Sequence, residues 1–158
     1  MRIFFVIMCA TTLLSSCYSY KIYPKEYRNF TYTGEKKEAF ILNPELTKEF
    51  QILKKAGIFK IVTDTLEKSV VKIRLHPLQR NFVCGQPVTA SLFSLGQLPV
   101  LLPDKYQYEF EEVQLTDTIQ RRYELKIATR FWFWDIFAVK KNLKQKAGQT
   151  LLAEYYNN

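Results

Sequence analysis

The chain has 158 residues, one domain's worth of material. With 47% apolar and 15% aromatic residues, its composition excludes a disordered chain and supplies a core. The formal charge of +8 excludes an acidic protein and reads either as a solvated basic surface with no specific partner or as attraction to an anionic surface.

The N-terminus reads "MRIFFVIMCATTLLSSCYSY". Arg2 is the only charge before Lys21, and Ile3 to Leu14 is apolar apart from Thr11 and Thr12. A bilayer-spanning helix needs about 20 apolar residues, so this run is too short to span. A positive start, a short apolar middle and small residues before a cut describe an export signal. Ser15 and Ser16 stand directly before Cys17, with Leu14 three residues upstream of it.

"LSSC" resembles the lipobox of bacterial lipoproteins. The resemblance implies that signal peptidase cuts between Ser16 and Cys17, and that Cys17 becomes the acylated first residue with two or three chains. One acyl chain holds a protein only marginally at a membrane, whereas two or more hold it stably. Tyr18, where enteric lipoproteins retained at the inner membrane carry Asp, implies an outer-membrane location facing the periplasm. The expected organisation is therefore a signal peptide over 1–16, an acylated N-terminus and tether over 17–29, and one domain over 30–158. Cys9 lies in the apolar run and leaves with it.

Tyr18 to Arg28, "YSYKIYPKEYR", reads as a tether or an early strand. Phe30 to Leu42 offers two short strands, or one strand and a turn at Gly34. Asn43 as N-cap, Pro44 at the first position and Glu45 in the first turn predict a helix over Pro44 to Ala56. Leu46, Phe50 and Leu53 would share its apolar face, Gly57 would end it, and Ile58 would pack back on the last turn. "IFKIV", Ile58 to Val62, reads as a short strand. "SVVKIRL", Ser69 to Leu75, alternates, with Val71, Ile73 and Leu75 on one side and Pro77 closing it.

Val88 to Leu102 is apolar, interrupted by Gly96 and Pro99, and reads as a buried turn of helix plus strand or as a membrane-dipping or docking loop. Lys105 to Phe110 alternates with Tyr106, Tyr108 and Phe110 on one face. Arg122 to Thr129 alternates with Tyr123, Leu125 and Ile127 inward. A turn around Asp117 joins them, so an antiparallel hairpin is expected. "RFWFWDIFAVKK" then concentrates Phe131, Trp132, Phe133 and Trp134 ahead of Lys140 and Lys141. It reads either as core strand or as an interfacial patch, where Trp favours headgroups and lysines favour anionic lipid. A last helix, about Leu143 to Tyr156, would bury Ala147, Leu151 and Tyr155, and Gly148 lowers its propensity.

The predicted fold is α+β, a mainly antiparallel sheet of four to six strands with a helix on one face. In its pattern of helix, "AGIF" turn, alternating strands and aromatic C-terminal strand, the body resembles small outer-membrane lipoproteins of Gram-negative bacteria, a resemblance that supplies no active-site residues. His76 and Cys84 have no metal-ligand spacing around them, so no metal and no cofactor is expected. After export Cys84 is a lone thiol that reads as a buried small hydrophobe. Glu109 and Glu111, two apart on a strand, would share a solvated face about 7 Å apart. The leading expectation is a non-catalytic envelope lipoprotein that binds or scaffolds another component, reached through anionic lipid or an envelope protein and not nucleic acid. The alternatives are a small periplasmic hydrolase using Cys84 and His76 or Glu109 and Glu111, and a lipid carrier.

Overall fold

The computed structural model describes residues 18–63, 70–82, 100–113, 117–131 and 142–157. In chain order the strands are β1 (Tyr18–Ile22), β2 (Glu38–Ile41), β3 (Lys60–Ile61), β4 (Val71–Leu75), β5 (Gln79–Phe82), β6 (Val100–Val113) and β7 (Thr118–Phe131). Among the described residues there are also two helices, α1 (Thr47–Ala56) and α2 (Leu143–Asn157), and a 3₁₀ turn at Lys25–Asn29. The fold is α+β, as the sequence predicts.

The strands form one seven-stranded sheet in the order β1-β7-β6-β4-β2-β3, with β5 also paired to β6. The sheet is mixed rather than purely antiparallel, and it exceeds the expected four to six strands. β2 runs parallel to both β3 and β4, while the pairings of β1, β4, β5, β6 and β7 with one another are antiparallel. The physical reason is α1. A helix between β2 and β3 carries the chain back to the end where β2 began, so β3 must run the same way. β4 and β5 flank the same side of β6, β4 opposite Phe110–Val113 and β5 opposite Asp104–Gln107. His76, Pro77 and Leu78 separate them, and proline there removes a ladder donor.

The hairpin β6–β7 is the spine. Fourteen paired residues per strand give it a length of about 45 Å. Tyr106, Tyr108, Phe110, Tyr123, Leu125 and Ile127 are all buried on one face, as the alternation predicts. Both helices cover that face through Ile52, Leu53, Ala56, Ala147 and Leu151. Phe110 packs edge-on to Phe59 and stacks on Tyr123, with ring centroids 6.1 and 5.9 Å apart. Aromatic pairs of these geometries add to the area they bury.

Helix α1 begins at Thr47, three residues later than expected, and Leu46 at its N-cap makes no side-chain cap bond. Asn43 is engaged elsewhere. Its Nδ2 donates to the Leu75 carbonyl, and its Oδ1 accepts from the Leu75 N–H, both at 2.8 Å. The amide thus continues the β2–β4 ladder where β2 has ended. The buried stripe of α1 is Glu49, Ile52, Leu53 and Ala56, with Leu46 and Phe50 only partly buried. Gly57 ends the helix as predicted, at φ 64° with its N–H on the Leu53 carbonyl.

Gly148 has a packing role that its low propensity conceals. A Cβ there would stand 2.7 Å from the Ala56 amide nitrogen and 2.8 Å from Lys55 Cβ. The helices approach so closely there that α2 has no room for a side chain at 148. Tyr18–Ile22 takes the strand form of its two readings. It pairs with β7, and Arg28 beyond it donates to the Ile22 carbonyl at 3.1 Å. Among the described residues no buried side-chain polar atom lacks a partner.

Candidate functional site

Cys17, Ser16, Trp132, Phe133, Trp134, Lys140, Lys141 and Cys84 lie outside the described residues, as does most of Val88–Leu102. Phe131 is placed by its backbone as the last residue of β7. Four arrangements remain on which chemistry could rest.

The first is the outer face of the sheet, where alternation along β6 puts Glu109 and Glu111 together as expected. They are half-buried rather than freely solvated. Glu109 lies opposite Arg122, whose Nε is 2.5 Å from its Oε1, and Gln107 donates to the same oxygen. Glu111 meets His76 Nε2 at 3.0 Å and Arg74 at 3.6 Å. His76 also donates its backbone N–H to the Glu109 carbonyl. Arg122 faces Glu109 and Arg74 faces Glu111, with His76 also bonded to Glu111, so this is a polar ladder between strands. General acid–base catalysis on a glycoside would need the pair to face a common ligand instead.

The second arrangement lies on the helix-covered face and escaped the sequence reading. Asp104 is buried, with both carboxylate oxygens 3.0 Å from Arg80 Nη2 and Thr129 Oγ1 donating to one of them. The Arg80 guanidinium also lies 5.5 Å from the Tyr106 ring centre. Burial pushes the Tyr106 phenol up to about 12, against a smaller lowering by Arg80. The cluster ties β5, β6 and β7 together by charge. A buried carboxylate left unpaired would be costly. Its sequence signal was Asp104 itself, an acid on the inward phase of a strand otherwise carrying Tyr106, Tyr108 and Phe110.

A second buried acid, Glu112, accepts from Arg121 at 3.3 Å beside Tyr123, whose phenol burial also pushes up to about 12. On α1, Glu49 accepts the Leu78 N–H at 2.9 Å, and its own carbonyl takes the Tyr108 hydroxyl. These carboxylates are structural fasteners. Among the described residues no cluster of three histidine, cysteine or acidic side chains could hold a metal ion.

The third is an open groove of about 1070 Å³ at the β3 edge. Lys36, Lys37, Lys54 and Lys60 line it, against Glu35 and Glu38. Lys60 is held 2.6 Å from Glu38, its cross-strand neighbour, which leaves the lining net positive. Phe59 and Val71 form its apolar part.

The fourth is the end of the sheet opposite that groove along the hairpin. Tyr18 of β1, Phe131 of β7 and Val100 of β6 form its last row. Ser19, Arg130 and Leu101 form the next. Arg130 Nε donates to Ser19 Oγ at 3.2 Å, and Leu101 is 50% exposed.

Among the described residues no helix is long and apolar enough to cross a membrane. No protein-family model matches the chain, and no curated protein matches it significantly. The functional reading therefore rests on the residues and their arrangement.

Proposed function

We propose that this chain is a membrane-anchored envelope lipoprotein with a non-catalytic binding or scaffolding role. Signal cleavage falls between Ser16 and Cys17, and acylation on Cys17 holds the domain at the periplasmic side of an outer membrane. One observation carries the reading. Ser15 and Ser16 stand directly before Cys17, behind a short apolar run with a positive start. Tyr18, the next residue, is paired with Phe131 of β7, so an anchor on Cys17 would join directly to the sheet.

Two further features support it. The aromatic run Phe131–Trp134, followed by Lys140 and Lys141, starts where β7 ends, beside the first residue of β1. Such a run suits a headgroup interface. The lysine groove is the surface for an acidic partner, since Lys ammonium groups attract carboxylate and phosphate without demanding one geometry. The glutamate form of the hydrolase alternative has no such support, because Glu109 is paired with Arg122 and Glu111 with Arg74 and His76; its other form rests on Cys84, which lies outside the described residues.

The test is intact mass with membrane fractionation, on wild type and Cys17→Ala. Wild type is expected in the membrane fraction with acyl mass on residue 17, and the variant is expected soluble or unprocessed. A soluble wild type that begins at another residue would overturn the reading.

A further inference from the structure

The length of chain between anchor and sheet decides which part of the fold meets the membrane. This step rests on acylation of Cys17. We infer that the end of the sheet formed by β1, β7 and β6 lies flat on an anionic bilayer. Ser19, Arg130 and Leu101 then stand at headgroup level, and the lysine groove faces away.

There is no slack between lipid and fold. Successive Cα atoms are about 3.8 Å apart, so an acylated Cys17 holds the first paired residue of β1 at the interface. The register then places Phe131 and Val100 at the same level, because Tyr18 faces Phe131 and Phe131 faces Val100.

A single anchor would still let the domain pivot. The second contact is Leu101, two strand spacings or about 10 Å across the sheet from β1. It is a large apolar side chain left half in solvent on a strand, the kind of group that gains from entering the acyl boundary. Between it and β1 stands Arg130, whose planar guanidinium matches lipid phosphate.

The charges along the hairpin agree. From the open end, Val100–Pro103, Ala128–Phe131 and Tyr18–Ile22 carry Arg130 and Lys21 and no carboxylate. The acids of β6 start at Asp104, which is buried against Arg80, and continue with Glu109, Glu111 and Glu112 toward the other end. An anionic surface therefore meets the end of the hairpin that carries no carboxylate among the described residues. The groove lies at the diagonally opposite corner. Val71 and Lys60, which line it, are reached from the Val113 end of β6 through β4 and β2.

The experiment uses the mature lipidated chain in nanodiscs containing phosphatidylglycerol and a headgroup nitroxide lipid. Methyl NMR reads Leu101, assigned through Leu101→Ile, against Val71 and Ile61 at the far edge. Selective broadening of the Leu101 methyls, several-fold above Val71 and Ile61, is expected. Leu101→Asp is exposed enough to fold, as circular dichroism would verify. It is expected to make the broadening of the remaining methyls more uniform as the domain pivots.

Equal broadening at both ends in wild type, or stronger broadening at Val71, would overturn the orientation while leaving the anchor in place. Intact mass is read on the same sample. Absence of acyl mass would overturn the lipoprotein reading, and the orientation with it.

Discussion

The hairpin β6–β7 and the corner built from β2, α1, β3 and β4 carry the same kinds of side chain but obey different rules. In the hairpin most residues' environments follow from their parity, with Ala128 a buried exception on the outward phase. Tyr106, Tyr108 and Phe110 go in, and Lys105, Gln107 and Glu109 go out. The partner strand repeats the pattern in antiparallel register. In the corner parity is not enough. α1 turns the sheet parallel, Asn43 leaves the helix to serve β4, and Gly148 from a distant helix sets the closeness of packing. Local pattern suffices where neighbours in sequence are neighbours in space, and fails where contacts come from far along the chain.

The sharpest way to break the hairpin is Phe110→Ala. The ring is fully buried among Phe59, Tyr108 and Tyr123, and its loss is expected to cost about 3–5 kcal/mol by transfer and cavity terms. Urea unfolding would show this as a lower midpoint at unchanged slope. A loss below about 1 kcal/mol would mean that the face is not the core.

In the corner, Gly148→Ala sets two principles against each other. Helix propensity alone predicts a gain of about 1 kcal/mol. The close approach to Ala56 and Lys55 predicts an overpacking loss of about 1–3 kcal/mol, and the loss is expected to win. A raised melting temperature would show that the helices can separate without cost.

Asn43→Ala tests the ladder extension directly. It strands the N–H and C=O of Leu75 and is expected to cost about 1–3 kcal/mol. Asn43→Ser, a competent N-cap, is expected to recover little of this, because capping is not the role. Full recovery by serine would restore the capping interpretation.

A pH series distinguishes core tyrosines from surface ones. Burial raises the phenols of Tyr106 and Tyr123 from 10 to about 12. Below pH 10 both folded and unfolded chains hold these protons, and the stabilisation is complete. Between pH 10 and 12 the unfolded chain releases them first, so stability falls as pH rises. Phenolate absorbance at 295 nm should therefore rise together with loss of circular dichroism. Ionisation of these two near pH 10 in an intact fold, judged against Tyr106→Phe and Tyr123→Phe, would refute their burial. The smallest effect belongs to the outer ladder, where Arg122→Ala is expected to cost less than about 1 kcal/mol since the guanidinium is largely exposed.

The residues proposed for function divide in the same way. Cys17 and the aromatic run could be proposed from sequence because each is contiguous in the chain. Asp104 with Arg80 and Thr129, the lysine groove and the row of Ser19, Arg130 and Leu101 could not, because each joins residues from separate strands. The row Ser19–Arg130 brings together positions 111 residues apart in the chain.

By itself the sequence determined the α+β class, an antiparallel hairpin over Lys105–Phe110 and Arg122–Thr129 with its inward set, the Gly57 helix stop and the C-terminal helix, but not the hairpin's full length. Each depends on a period or a cap within a few residues. Only the tertiary structure decided the parallel corner, the use of Asn43, the need for glycine at 148 and the pairing of the buried acids. Those depend on which distant backbone arrives beside a side chain, and no local period encodes that.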